Sequence, residues 1–408
     1  MTGREYENGF PAERPCAIVV GLDCITGLQT ARLLARRGVP VVGIASDLRH
    51  FCARTRVCRE IVRADTTGDE VVERLEALAG RFAQPPVLFP CTDSAVRVLS
   101  ARRARLEPHY RLALPRHETV ERLMSKSAMT AWAERHGFRV PATIDVFKRQ
   151  DLERALERLS FPCTLKPAVK DARWLAHTKE KAFKAADADA LRALFETHGP
   201  FSDHMIAQEW IEGGESELYS CNCYFGRDGE PLVSFVARKI RQWPPETGTS
   251  ALGVECRADT VRDETLRLFR AADYRGLGYV EMKRDAARGE YFLIEPNVGR
   301  PTGRSAIAEA GGVELLYTMY CDLVGLPLPE AREQRYRDAK WIYLRHDLQS
   351  AFWWWRRGEL TLADWARSLR GPKSYAVFSA SDPLPFLLDL VKPFAELRRR
   401  RRRRGATR

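Results

Sequence analysis

Ten cysteines are present, yet there is no Cys-x-x-Cys pair and no Cys/His cluster at zinc-ligand spacing. That excludes a zinc ribbon and a thioredoxin-like redox motif. The turn after the first apolar run reads Gly21-Leu-Asp-Cys-Ile-Thr-Gly27 and lacks the Gly-x-Gly-x-x-Gly of a dinucleotide site. No stretch approaches the ~20 apolar residues that span a bilayer. Met1 to Pro15 is polar and mixed in charge, with no apolar leader. With no disulfide framework in view, a reducing, cytoplasmic setting is expected. Basic charge is scarcer than the total suggests. The formal net charge is +12, but the unbroken arginines 398 to 404 supply more than half of it. The body is only mildly basic, so no specific nucleic-acid partner is expected.

What is present is an α/β pattern. A chain of 408 residues exceeds one simple core, and two or three domains are expected. Cys16 to Gly21 reads as a buried strand, Gly27 to Arg37 as a helix and Val39 to Ile44 as a second strand, the start of a parallel sheet. Val87 to Pro90 reads as a further strand, and Asp93 and Ser94 follow its carboxyl end, where open α/β sheets place ligands. Thr119 to His136 is periodic as one helix carrying Lys126. Phe161 to Pro167 and Met205 to Ile211 read as strands, and Leu218 to Phe225 and Leu232 to Lys239 as antiparallel partners. An irregular stretch is expected from Arg241 to Ser250. The cysteines Cys221 and Cys223 share one strand face and read as small apolar residues.

The most informative segment is Tyr291-Phe-Leu-Ile-Glu295-Pro-Asn297-Val-Gly-Arg300. Glu295 and Asn297, two apart in a strand, point to one face. Gly278 to Lys283 reads as the partner strand and Asp285 to Gly289 as the turn. A hairpin centred near Arg288 sets Glu281 opposite Glu295. Facing carboxylates repel unless a cation lies between them, and an all-oxygen set suits Mg²⁺, with Mn²⁺ as a substitute. The alternative is a solvated polar face of an antiparallel sheet.

The ordered set Lys126, Lys166, Gln208-Glu-Trp-Ile211-Glu-Gly-Gly-Glu215, Glu281, Glu295 and Asn297 resembles the ATP-grasp superfamily. Within it the chain is most similar to carboxylate–amine ligases of the D-alanine–D-alanine ligase and D-aspartate ligase kind. The resemblance implies an N-terminal parallel-sheet α/β domain over residues 1–115 and a nucleotide-clamping ATP-grasp domain of two α+β subdomains over 116–328. Residues 329–408 then form an aromatic-rich C-terminal extension with an arginine tail. It implies ATP and Mg²⁺ as cofactors and small-molecule carboxylate and amine substrates, joined as an amide through an acyl phosphate. Lys126 and Lys166 would hold phosphate oxygens. Gln208 would meet the adenine amino group, the backbones of Glu209 and Ile211 the adenine edge, and Glu215 the ribose. Glu281, Glu295 and Asn297 would bind Mg²⁺. Lys239, Arg241, Arg300 and Arg304 are the candidates for the transferring phosphate or the substrate carboxylate.

Two departures stand out. Many members carry a glycine-rich loop after the strand lysine; here no glycine appears between Lys166 and Gly199, and Lys179 or Lys181 is expected to substitute. The arginine after the metal residues is shifted by one, in Asn297-Val-Gly-Arg300. An ATP-binding protein without turnover is the rival that the missing glycines suggest. In the extension, Trp353, Trp354 and Trp355 and the apolar run before the arginines leave two readings: packing against the catalytic domains, or peripheral contact with a membrane surface.

Overall fold

The computed structural model describes residues 14–169, 171–178, 180, 182–245 and 248–392. Three sheets organise them. The first is parallel, with β1 (Ala17–Val20), β2 (Val41–Ala45), β3 (Glu60–Arg63) and β4 (Val87–Pro90) in the order β3-β2-β1-β4. All of β1, β2 and β4 is buried, which explains their unbroken apolar runs. Helix Ile25–Arg36 crosses from β1 to β2, and helix Asp93–Ala101 leaves the carboxyl end of β4.

The second sheet contains β5 (Thr143–Val146), β6 (Cys163–Pro167), β7 (Phe183–Ala185) and β8 (Met205–Glu209), all antiparallel, in the order β5-β8-β6-β7. A separate core that includes Leu152, Leu165, Trp174 and Leu191 backs it.

The third sheet has seven strands: β9 (Leu218–Phe225), β10 (Pro231–Trp243), β11 (Thr249–Glu255), β12 (Gly276–Arg284), β13 (Tyr291–Val298), β14 (Lys340–Ile342) and β15 (Lys373–Tyr375). Their order is β13-β12-β9-β10-β11-β14-β15. The C-terminal stretch therefore adds two strands to the sheet that carries the acidic hairpin. A salt bridge at 2.9 Å between Arg32 and Asp382, both buried, ties it to the first domain.

Three local readings change. The segment from Arg241 is not irregular at its start: β10 continues to Trp243, and β11 begins at Thr249. The predicted single helix from Thr119 is two, His117–Met124 and Lys126–Arg135, because Ser125 is extended and its hydroxyl accepts the Ala128 N–H. A capping side chain starts a new helix there. Trp353 and Trp354 are half-buried, whereas Trp355 is exposed. The ten cysteines are all unpaired, and Cys221 and Cys223 lie buried in the main core.

Candidate active site

The β12–β13 hairpin places Glu281 directly opposite Glu295. Its turn sets Met282 opposite Leu293, and a bulge at the next step, where β13 advances two residues and β12 one, brings Glu295 rather than Ile294 opposite Glu281. Asp285 accepts the Ala287 and Arg288 N–H groups at 3.0 and 2.8 Å, and Gly289 takes φ +74°, where a side chain would be strained. The two carboxylates have different surroundings. Glu281 faces Lys239 Nζ at 3.4 Å and Arg304 Nη2 at 3.4 Å. Burial acts to raise its pKa, but Lys239 and Arg304 outweigh it and hold the carboxyl below its ordinary value. Glu295 is surface-accessible and, among the described residues, has no hydrogen-bond or ion-pair partner. Desolvation by the surrounding protein and the charge of Glu281 push its carboxyl up, against the pull of Lys126. Lys126 is the exposed first residue of its helix.

A row of polar groups crosses the sheet beside this pair. Arg304 is buried; its guanidinium meets the Ser250 hydroxyl, the Ser220 hydroxyl at 3.1 Å and Glu281. Ser220 is the strand partner of Glu281 on β9, so its place followed from the register once β9 and β12 were paired. Asn297 is buried and its Oδ1 accepts from Arg300 Nη2 at 2.8 Å. Arg300 also donates to the Tyr279 hydroxyl at 3.1 Å and ion-pairs with Asp93. Gly299 makes this turn possible. It has φ +72°, and a Cβ there would come within 2.6 Å of Leu114 and 2.7 Å of Val96. Arg300 thereby links the hairpin to the amino end of helix Asp93–Ala101.

Arg241 does not join this group. Between Lys239 and Arg241, β10 advances two residues while β11 advances one. Such a bulge re-aims the following side chain. Arg241 turns to Asp347, with Nε to Oδ1 at 2.8 Å, and to Ser368 at 3.0 Å; both ion-pair partners are buried. Its candidacy for phosphate contact gives way to a structural pairing with the C-terminal stretch.

On the second sheet Lys166 donates to Gln208 Oε1 at 2.6 Å, and Gln208 Nε2 donates to the Thr143 hydroxyl at 2.8 Å. Each end of the Gln208 side chain thus has one partner, its Oε1 orients Lys166, and one amide N–H and one lone pair remain. Thr143 is the strand neighbour of Gln208, a partner visible only once β5 and β8 are paired. Glu209 accepts from Arg288 at 2.8 Å, and the Glu212 carbonyl accepts the Ala286 N–H at 3.1 Å. The segment 209–212 is therefore fastened to the hairpin turn. Ile211 is buried, and Glu215 accepts the Gln242 N–H at 2.8 Å. Trp210 lies between Lys184 and Lys283, whose Nζ atoms are 4.3 and 4.9 Å from its ring centre. Where a glycine-rich loop would follow β6, helix Ala172–His177 stands instead, capped by Asp171 and anchored by the fully buried Trp174. Lys179 and Lys181 lie outside the described residues.

The donor set suits a hard cation. Glu281, Glu295 and Asn297 are all oxygen donors, and an amide oxygen keeps a second lone pair beyond its bond to Arg300. Among the described residues no group of three or more His, Cys, Asp or Glu side chains could by itself hold a metal. Two carboxylates and an amide match a cation that completes its shell with phosphate and water, as Mg²⁺ does.

No family model matches this sequence, and no curated protein matches it. Solved structures do. N5-carboxyaminoimidazole synthetase from Staphylococcus aureus complexed with ADP is 14% identical, with a TM-score of 0.61, covering 80% of this chain and 82% of that one. The biotin carboxylase domain of Hydrogenobacter thermophilus 2-oxoglutarate carboxylase, with MgADP and bicarbonate, is 13% identical, with a TM-score of 0.58 over 79% of this chain and 72% of that one. Phosphoribosylglycinamide synthetase from Anaerococcus prevotii is 16% identical, with a TM-score of 0.57 over 77% of this chain and 76% of that one. At these identities the likeness is one of architecture: a parallel α/β domain, then a four-stranded and a seven-stranded sheet, which is the ATP-grasp fold.

Proposed function

We propose that this protein is an ATP- and Mg²⁺-dependent carboxylate–amine ligase. The observation that carries the reading is the register-matched pair Glu281 and Glu295, with Lys239 and Arg304 beside it. A carboxylate pair of this kind has a use when a cation bridges it to phosphates. The fold neighbours include proteins solved with ADP and with MgADP. Lys166, oriented by Gln208, and Lys126 are assigned to phosphate oxygens. Glu209, Ile211 and Glu215 are assigned to the nucleoside. Arg300 and Lys239 are assigned to the transferring phosphate and the substrate carboxylate.

In the proposed reaction a carboxylate oxygen attacks the γ-phosphorus and ADP leaves with the bridging oxygen. The amine nitrogen then attacks the acyl carbon, phosphate departs, and the nitrogen loses a proton. When bound, Mg²⁺ would neutralise charge on the phosphates. Lys239, Arg304 and Arg300 supply fixed positive charge where negative charge develops, and their fastening to Glu281, Ser220 and Asn297 limits reorganisation during the reaction. The ten unpaired cysteines fit a cytoplasmic enzyme.

Incubating purified protein with MgATP and paired panels of carboxylates and amines tests this directly. ADP released only when both partners are present supports the ligase. A second reading, ATP binding without turnover, draws on helix Ala172–His177 in place of the glycine-rich loop. Tight ATP binding with no ADP from any pair would favour it.

A further inference from the structure

The last described residues of the C-terminal stretch form a helix that is apolar on both sides. Residues 384–392 are helical. Their inner side is firmly held. Phe386 packs edge-on against Phe378 at 5.2 Å, and the buried Asp389 accepts from the Tyr343 hydroxyl at 2.8 Å and from Arg345 at 2.9 Å. Lys392 lies over the Phe51 ring at 5.4 Å. These contacts dictate which side faces out. That side consists of Leu384, Leu387, Leu390 and Val391, which are 43, 54, 39 and 54% exposed. At 100° per residue the four cover about 120° of the helix circumference. A surface helix ordinarily turns its charged face to water and its apolar face to the core. Here Phe386 and Leu388 pack inward beside Asp389 and Lys392, and a second, aliphatic row with no cover among the described residues faces solvent.

The sequence adds a second, independent signal. Six residues after Lys392 begins the run Arg398 to Arg404. An aliphatic helix face followed by concentrated positive charge complements an anionic lipid surface, with the row entering the acyl boundary and the arginines meeting headgroups. A nucleic acid would pair with the arginines but leave the leucines in water. Among the described residues no helix is long and apolar enough to cross a membrane, so the contact would be peripheral. We infer that residues 384–392 and the arginine run dock this protein on an anionic membrane surface. The inference stands apart from the ligase assignment, and neither depends on the other.

Co-sedimentation of the full chain with lipid vesicles tests it. Vesicles of phosphatidylcholine alone are compared with vesicles that also contain about a quarter phosphatidylglycerol, at about 0.05 M and about 0.5 M salt. The expected result is pelleting with the anionic vesicles at low salt, weakened by high salt. Leu387→Glu combined with Val391→Glu should weaken it by about tenfold or more, because two methyl-rich side chains are lost from the interface and two like charges are added. Leu390→Gln serves as a milder second variant should the double variant lower the melting temperature. Failure of the parent to pellet with anionic vesicles at low salt overturns the inference. So does pelleting that both variants leave unchanged, or binding to RNA that competes with vesicles and ignores both variants.

Discussion

At one edge of the seven-stranded sheet, Glu281 and Glu295 face each other on β12 and β13, and Glu295 has no ion-pair partner among the described residues. Toward the other edge, helix Leu344–Arg356 and the strands β14 and β15 enclose charges that are matched, such as Arg241 with Asp347 and Arg345 with Asp389. Lys239 and Arg241 are two residues apart, yet one serves each side. Buried charge is costly and must be neutralised. The second edge meets that demand from within the chain. The first pairs Glu281 but leaves the accessible Glu295 without an ion-pair partner among the described residues, and on the proposed reading an external cation and its phosphates fit there. An incompletely matched set of charges is thus a better guide to the site than the number of charged residues.

The largest expected effect lies on the matched side. Arg241→Met should cost about 3–5 kcal/mol of stability in thermal or denaturant unfolding, since it leaves Asp347 buried and unpaired. Adding Asp347→Leu should recover much of that loss, and a double variant as unstable as the single one would break the distinction. On the unmatched side, Glu295→Gln should lower ADP formation about a hundredfold or more while leaving the unfolding midpoint close to that of the parent, whereas Glu281→Gln should lower both, since buried Lys239 and Arg304 lose their carboxylate. A large drop in stability with no change in turnover would reverse the roles of the two edges.

A smaller effect is expected at Gln208. Gln208→Ala removes an acceptor of Lys166, and about 1.5–3 kcal/mol is typical for a hydrogen bond to a charged group. ATP affinity, measured by calorimetry, should fall roughly tenfold, with less effect on unfolding. The smallest effect concerns Glu309, which lines a cavity with Lys373 and Tyr375 beside β15. Its Oε2 has no hydrogen-bond partner among the described residues, and burial raises its pKa to about 8, despite backbone N–H groups and Arg37. The folded state then holds a proton that the unfolded chain has released. Stability is full below the unfolded value, near ~4.3, and declines as pH rises toward about 8. Glu309→Gln should flatten the melting temperature over that interval.

The bulge that brings Glu295 opposite Glu281 leaves no mark in the sequence, but the hairpin was legible because Asp285, Gly289 and the apolar alternation mark its turn and both strands. The buried runs β1, β2 and β4 were legible for the same kind of reason. Arg241 was not: its redirection depends on a bulge, which leaves the residue spacing unchanged. Ser220 and Thr143 became visible only through strands distant in sequence. The strands β14 and β15 have three residues each, too few to show a period, so their place in the sheet could not be read.

The fastening between segment 209–212 and the hairpin turn sets a length. From Glu281 to Asp285 the strand runs about 13 Å, at roughly 3.3 Å per residue. Arg288 and the Ala286 N–H hold segment 209–212 at one end of this rod, while the stem carries the acidic pair at the other. On the proposed reading, the base is gauged from the turn and the cation from the stem, so the hairpin acts as a ruler for the nucleotide between them. Lengthening both strands by two residues would keep the alternation of faces and move one mark by about 7 Å. Such a chain should still fold and still bind a nucleoside, but it should no longer bring the outer phosphate to its cation.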